Sequence, residues 1–181
     1  MEYVSDFDTA QICLNGHIVN PSCKNNPANC SNHCSKCGEK TITACPHCNT
    51  PIKGDGYREE FLFAIGDNVS TVTKRVDAEY ECPAFCHKCG KPYPWSERLM
   101  EEANTIIDSF DSELSEEQRA ILKERFPDLL TDNPQTTSAV LAYNRLINGL
   151  KNGASMLGKS LLIDLLEKHI PETIFTMMNL H

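Results

Sequence analysis

No stretch of the 181-residue chain is both long and apolar. The longest segment without a charge, Thr9 to Cys23, is largely polar and falls short of the ~20 apolar residues of a membrane span. Met1 to Asp8 carries acid, no Lys or Arg and no apolar block, so a secretory leader is not expected. The chain has no Gly-rich phosphate loop, no nucleophile elbow and no His-Glu-x-x-His sequence. No His/Asp pair is placed by sequence beside an open metal site, so catalysis is not expected. With 40% hydrophobic and 23% charged residues, extended disorder and a collagen-like fibre are excluded as well. The expected compartment is the cytoplasm. There the thiol pool works against a disulfide framework, and ten cysteines point to metal instead.

Those cysteines are confined to one half. All ten lie between Cys13 and Cys89, and the last 92 residues have none. The break predicts two domains, residues 1–95 and 96–181, meeting at the Pro92-Tyr93-Pro94-Trp95 turn. Three Cys-x-x-Cys units recur in the first: Cys34-Ser-Lys-Cys37-Gly38, Cys45-Pro-His-Cys48-Asn49 and Cys86-His-Lys-Cys89-Gly90. Each is followed by Gly or Asn, which tolerate positive φ. Such a tight knuckle turns its backbone N–H groups toward the sulfurs, and its two thiolates span two corners of a tetrahedron around Zn²⁺. Cys13-Leu-Asn-Gly-His17 supplies a fourth pair, with His17 as a nitrogen donor. A redox Cys-x-x-Cys of the thioredoxin type is the competing reading.

Two pairings are open. Sequential pairing joins Cys13, His17, Cys34 and Cys37 in one site and Cys45, Cys48, Cys86 and Cys89 in the other. Interleaved pairing, as in RING-type ubiquitin ligases, joins the first pair to the third and the second to the fourth. Seven residues separate Cys37 from Cys45, enough for a turn and a short strand at Thr41-Ile42-Thr43, which favours the sequential scheme. A hairpin is expected between Cys48 and Cys86. Its first strand is Tyr57 to Ile65 with Phe61, Phe63 and Ile65 on one face, its turn Gly66-Asp67-Asn68, and its second strand Val69 to Val76. Short strands flank the first knuckle at Ala10-Gln11-Ile12 and Ile18-Val19. A core of Ile12, Ile18, Val19, Ile42 and Phe85 is slight, so metal is expected to supply much of the folding free energy. Both sites are filled by protein donors and are therefore expected to be structural. Thiolates also take iron, so residues alone leave iron open in the all-cysteine site.

Cys23, Cys30 and Cys82 remain. They are either incidental thiols, or Cys23 or Cys30 displaces His17 from the first site. His33, His47 and His87 are expected to face solvent.

The run Gln11-Ile-Cys-Leu-Asn-Gly-His17, Cys34-Ser-Lys-Cys-Gly38, Cys45-Pro-His-Cys-Asn-Thr-Pro-Ile52 and Pro83-Ala-Phe-Cys-His-Lys-Cys-Gly-Lys-Pro-Tyr-Pro-Trp95 resembles a bacterial double zinc-ribbon family. The resemblance covers roughly residues 8–97. It implies Cys13, His17, Cys34 and Cys37 around one metal and the remaining two knuckles around the other, and it implies no reaction. The added Cys23 and Cys30 depart from the pattern.

The second half reads as helices. Ser96 is expected to cap the first, with Leu99, Ala103, Ile106, Ile107 and Phe110 on one face. Ser115-Glu-Glu-Gln118 is a capping box for the second. A third runs from Thr136 or Thr137 to Leu150, and a fourth from Met156 to His169 beyond Asn152-Gly153. The glycines at 149, 153 and 158 serve either close helix approach or helix breaking. The fold class is thus α+β: tandem zinc ribbons followed by an α-helical module. The apolar stripe from Met156 to Met178 is either bundle core or a surface for a partner or a second copy.

Charge weighs against nucleic acid. Residues 1–97 hold nine Lys/Arg and twelve Asp/Glu, residues 98–181 eight and thirteen, which sum to the net −8. Zn²⁺ adds −1 in a three-thiolate, one-imidazole site and −2 in a four-thiolate site. The expectation is a non-catalytic adaptor of bacterial or phage type, holding two structural Zn²⁺ and docking or self-associating through its helices. The alternative is a zinc-ribbon regulator binding DNA or RNA through Lys36, Lys40, Lys88 and Lys91.

Overall fold

The computed structural model describes residues 6–65, 68–76, 79–150 and 156–178. It divides into two compact units, Met1–Ser96 and Glu97–His181. The class is α+β, with small antiparallel sheets in the first unit and, among the described residues, five α-helices from Pro94 onward.

Six strands build the first unit: β1 (Asp6–Thr9), β2 (Gln11–Cys13), β3 (Ile18–Asn20), β4 (Thr41–Ile42), β5 (Lys53–Ile65) and β6 (Asn68–Arg75). They form two three-stranded sheets, ordered β1-β5-β6 and β3-β2-β4. β5 and β6 pair from Tyr57↔Arg75 to Ile65↔Asn68, with a one-residue slip between Phe61 and Phe63. β1 lies on the other edge of β5, with Asp6 opposite Tyr57 and Thr9 opposite Lys53. The expected turn at Gly66-Asp67 and the facing of Phe61, Phe63 and Ile65 lie outside the described residues.

In the smaller sheet β2 is central. Ile12 pairs with Ile18 on one side and Ile42 on the other, and Cys13 ends the strand opposite Thr41. The core is not the one the strand pattern suggests. Ala10, Ile12, Ile52 and Tyr93 close it together with the side chains of Cys45 and Cys86, while Ile18, Val19 and Phe85 are only half-buried. The reason is tertiary: Ala10 N–H donates to the Ile52 carbonyl (2.9 Å) and Ile52 N–H to the Thr43 carbonyl (2.9 Å), which pulls Ile52 inward between the sheets' connecting turns. Two buried carboxylates brace the Pro21–Asn25 turn. Asp8 accepts the N–H groups of Lys24 (2.7 Å) and Asn25 (3.2 Å), and Asp55 accepts the Ser22 hydroxyl (2.6 Å) and faces the Arg75 guanidinium (3.3 Å).

Helix α1 (Pro94–Asp108) begins two residues before the expected cap. Proline at a first helical position arrives with φ pre-set and no N–H to satisfy. Ser96 is therefore inside the first turn, and its hydroxyl donates instead to the Ala84 carbonyl (2.8 Å). Ser115 caps α2 (Glu116–Arg125) in a full capping box with Gln118. α3 (Thr136–Ile147), α4 (Met156–His169) and α5 (Glu172–Met178) follow. The core of this unit includes Ile107, Phe110, Leu122, Tyr143, Ile147, Leu162, Leu166 and Met178, none of them detectably exposed. Tyr143 keeps its hydroxyl inside by donating to the Leu122 carbonyl (2.8 Å), a bond of the order of 1 kcal/mol net. A Cβ on Gly158 would stand 2.9 Å from a Phe110 ring carbon, so this glycine does serve close approach. Gly153 lies outside the described residues.

The stripe from Met156 to Met178 divides. Leu162, Leu165, Leu166, Ile170, Ile174 and Met178 are core, whereas Met156, Leu157, Leu161 and Met177 are exposed. No helix among the described residues is long and apolar enough to cross a membrane.

Among the described glycines of the first unit, Gly54 has the least room for a side chain. A Cβ there would sit 2.1 Å from the Pro21 carbonyl oxygen and 2.9 Å from Ala10 nitrogen. Gly54→Ala is expected to cost at least about 1–3 kcal/mol, the usual range for overpacking. The check is the denaturant midpoint. A midpoint equal to wild type would mean that the Pro21 turn moves freely.

Candidate metal centres

Every Cys-x-x-Cys unit folds into the same local object. The N–H of the fourth residue after the first cysteine closes the turn: Gly38, Asn49 and Gly90 donate to the carbonyls of Cys34, Cys45 and Cys86 at 2.8–2.9 Å. Each first cysteine donates its own N–H five residues on, to Glu39, Thr50 or Lys91, at 2.8 Å. An antiparallel bridge seals each turn outside, His33↔Lys40, Ala44↔Pro51 and Phe85↔Pro92. The geometry requires a left-handed residue after the second cysteine, and φ is 74° at Gly38, 56° at Asn49 and 69° at Gly90. The first pair uses a shorter version. Gly16 (φ 84°) donates to the Cys13 carbonyl (2.8 Å), and Cys13 N–H to the His17 carbonyl (3.0 Å).

These turns bring eight donors together in two groups, Cys13, His17, Cys34 and Cys37, and Cys45, Cys48, Cys86 and Cys89. Within each group the donor atoms all lie within 4.8 Å of one another. The grouping is sequential and not interleaved. Cys23 and Cys30 stand apart from both groups, and His17 fills the fourth corner of the first. Its Nδ1 lies 3.6 Å from Cys13 Sγ, 3.3 Å from Cys37 Sγ and 3.7 Å from Cys34 Sγ. His33, His47 and His87 are exposed and belong to neither group.

The spacings suit a small tetrahedral ion. With metal–sulfur bonds of ~2.3 Å and metal–nitrogen bonds of ~2.0–2.1 Å, the tetrahedron's edges are about 3.8 Å between sulfurs and about 3.6 Å between sulfur and nitrogen. Sulfur pairs stand at 3.8 Å (Cys13–Cys37), 3.8 Å (Cys45–Cys89) and 3.6 Å (Cys48–Cys86). In each group the first and third donors are buried, the second is half-buried and the fourth is exposed.

The turns also favour thiolate. Burial opposes ionisation of Cys86, yet the N–H groups of Cys89 and Lys88 outweigh it and bring the thiol down to about 6. The Glu39 N–H lowers Cys37, and the Thr50 hydroxyl, 3.3 Å away, lowers Cys48. In Cys34 the N–H groups of Lys36 and Cys37 overcome burial. Not all four sulfurs of a group can ionise alone. At Cys89 the Lys91 N–H favours the anion, but burial and the thiols of Cys48, Cys86 and Cys45 push it up to about 11. A dication removes that conflict, and a coordinating thiol is deprotonated outright.

Sequence reasoning missed what backs the sites. Asn15 Nδ2 reaches Cys37 Sγ (3.5 Å) and His17 N–H reaches Cys13 Sγ (3.3 Å). Trp95 covers Gly16: a Cβ on that glycine would stand 3.2 Å from Trp95 Cβ. Trp95 is itself stacked on Tyr93 at 4.7 Å and 18°, with its indole N–H donating to the Pro83 carbonyl (2.9 Å). Asn15 carries a weak signal, lying inside the Cys13–His17 turn. The Trp95 cover carries none.

The chain belongs to the family described as "Uncharacterized protein conserved in bacteria (DUF2321)", whose model matches residues 6–174. That description says nothing of metal or of ribbons. No curated protein and no solved structure matches the chain.

Gly38 and Gly16 separate two costs. Gly38→Ala meets nothing within 4 Å, so only its positive φ opposes the change, at about 1–2 kcal/mol. Gly16→Ala adds the displacement of Trp95 and is expected to lower the melting temperature further. Equal melting temperatures for the two variants would show that Trp95 does not press on the first turn.

Proposed function

We propose that this family member is a non-catalytic, zinc-stabilised adaptor whose two tetrads hold one structural Zn²⁺ each. The observation that carries the reading is the pair of closed tetrads with edges matching a tetrahedral ion. Four protein donors leave no coordination position for water, so neither ion activates a substrate. The three-sulfur, one-imidazole set suits zinc, and the four-sulfur set is assigned zinc with it. Cys45 and Cys86 belong to the small core, so metal binding and folding of the first unit are one equilibrium. A reducing cytoplasm keeps such thiols available.

Zinc-replete expression is expected to give two zinc ions per chain and a colourless protein. Cys48→Ser is expected to bind one. Chelation should shift the emission of Trp95, the chain's single tryptophan, to the red as its stack on Tyr93 is lost. One ion or none in the wild type, or the visible absorption of iron thiolate, would overturn the assignment.

The adaptor part of the proposal rests on the helices. Leu157 is 71% exposed, Met156 63% and Leu161 48%, all on one short stretch of α4, and Leu141 is 63% exposed on α3. Burying one large apolar side chain contributes ~1.5–3 kcal/mol, so a few suffice for a modest dimer or docking contact. The net charge of −8 argues against a phosphate backbone as the partner. Light scattering at micromolar concentration is expected to exceed the 20.3 kDa of one chain. Leu157→Glu should return it to that mass without lowering the melting temperature. A wild-type monomer that recovers no protein partner from its host would remove the adaptor reading.

A further inference from the structure

Two thiols outside the tetrads are held against each other. Cys23 and Cys30 are both half-buried, and their sulfurs stand 2.6 Å apart. The segment carrying them is fixed at several points. Asn20, 3% exposed, accepts the Ser22 N–H on Oδ1 (2.9 Å) and donates from Nδ2 to the Asn26 carbonyl (2.8 Å). Cys23 N–H donates to the Thr9 carbonyl (2.9 Å), and Cys30 N–H to the Pro27 carbonyl (3.1 Å). Just beyond, Ser31 N–H donates to Gln11 Oε1 (2.9 Å). The two sulfurs therefore meet because the loop's ends are pinned to β1 and β2, with the cysteines seven positions apart in sequence.

The pair is asymmetric. The Asn20 amide also donates to Cys30 Sγ (3.2 Å). Burial, the Cys30 sulfur and the Asp8 carboxylate push the Cys23 thiol up to about 12. Cys30 thus has an amide donor on its sulfur, and the Cys23 sulfur lies alongside it. Cys82 differs: it packs against the small core, and burial, with the charge of Cys13, pushes it up to about 12.

We propose that Cys23 and Cys30 form an oxidisable dithiol, reactive toward hydroperoxides and separate from the metal-binding thiols. The Cys30 thiolate attacks one peroxide oxygen. The O–O bond breaks, the alcohol or water leaves after taking a proton, and Cys30 becomes a sulfenic acid. The Cys23 sulfur then attacks the Cys30 sulfur, and hydroxide departs with the Cys23 proton as water. Two thiols and one hydroperoxide become one disulfide, one alcohol (or water) and one water. The sulfurs lose the two electrons that the peroxide gains. Closure needs no large movement, because a disulfide's S–S distance of ~2.05 Å is about half an ångström shorter than the present contact. In a reducing compartment such a bond is transient and reversible by thiol exchange, as sensing disulfides are.

The test uses the metal-loaded full chain, reduced, desalted and treated with hydrogen peroxide. After alkylation under denaturing conditions, the expected product has two fewer alkylated cysteines and an unchanged metal content measured before denaturation. Lys24 lies between the two cysteines, so trypsin should yield a linked pair, the peptide ending at Lys24 and the peptide beginning at Asn25. Fragmentation should place the link at Cys23–Cys30. Cys30→Ser is expected to slow peroxide-dependent thiol loss at least about tenfold. Cys23→Ser should stop at a sulfenic acid trapped by a cyclic dione, and Cys82→Ser should behave as wild type. Unaltered thiols, a link to any tetrad cysteine accompanied by metal loss, or abolition of the reaction by Cys82→Ser would each overturn the proposal. The wild-type peptide map stands alone if a variant folds poorly.

Discussion

Four sulfurs all within 4.8 Å of one another, two of the pairs at 3.6 and 3.8 Å, cannot all carry charge without a cation among them. The first unit meets it in full at the four-cysteine cluster and in a milder form at the cluster of three sulfurs and one imidazole. Two unit charges at ~4 Å cost about 1 kcal/mol in water and about 4 at the effective dielectric of a protein surface. Several such pairs share each cluster. The backbone N–H groups of the knuckles favour ionisation of single thiols such as Cys86, but they do not offset the mutual repulsion that holds Cys89 back. Cys45 and Cys86 stand beside Ile12, Ile52 and Tyr93 as core residues. A core of that size stabilises little by itself. An ion at each cluster centre would relieve the charge conflict and tie the small core together.

The same constraint accounts for the repetition of one turn. A sulfur that must become an anion needs donors aimed at it, and two sulfurs three positions apart need the chain to reverse immediately. Only a residue at φ near +60° completes that reversal while keeping both bonds, the closing N–H to the first cysteine's carbonyl and the return bond into the bridge. Asn49 adopts at 56° what Gly38 and Gly90 do without a side chain. The Cys13–His17 pair spans one residue more than the others and ends in an imidazole, so its turn closes inside the pair at Gly16. Trp95 then lies directly over that glycine.

This locality decides what could be read from the chain. The two clusters of four side chains were legible because each pair is set by a spacing of a few residues and by the residue type that follows. The long hairpin was legible from its β-branched and aromatic run, and Ser115 from its capping box. β1 was not, because Asp6-Phe7-Asp8-Thr9 has no strand pattern of its own and exists as the partner of β5. The core of the first unit was misplaced for the same reason. Ile52 and Tyr93 sit in connections, and it is long-range backbone bonds that draw Ile52 inward. Ser96 has the right chemistry for a cap, but Pro94 starts the helix before it. The split of the Met156–Met178 stripe into core and surface follows from which neighbours α4 has, and no periodicity states that.

The cysteines outside the tetrads show where composition stops being informative. Cys23, Cys30 and Cys82 are alike as letters, and all three are half-buried. Their surroundings make them chemically different. Cys82 has apolar neighbours and is held as a neutral thiol. Cys30 has an amide donor in Asn20 and a second sulfur within reach. That difference is created by bonds from Thr9 and Gln11 to the loop, residues ten or more positions away. A thiol bound to an ion is withdrawn from redox chemistry only while the ion stays, whereas a paired free dithiol remains available throughout. With an ion in each tetrad, as proposed, the clusters would serve the small core while Cys23 and Cys30 stay outside both groups.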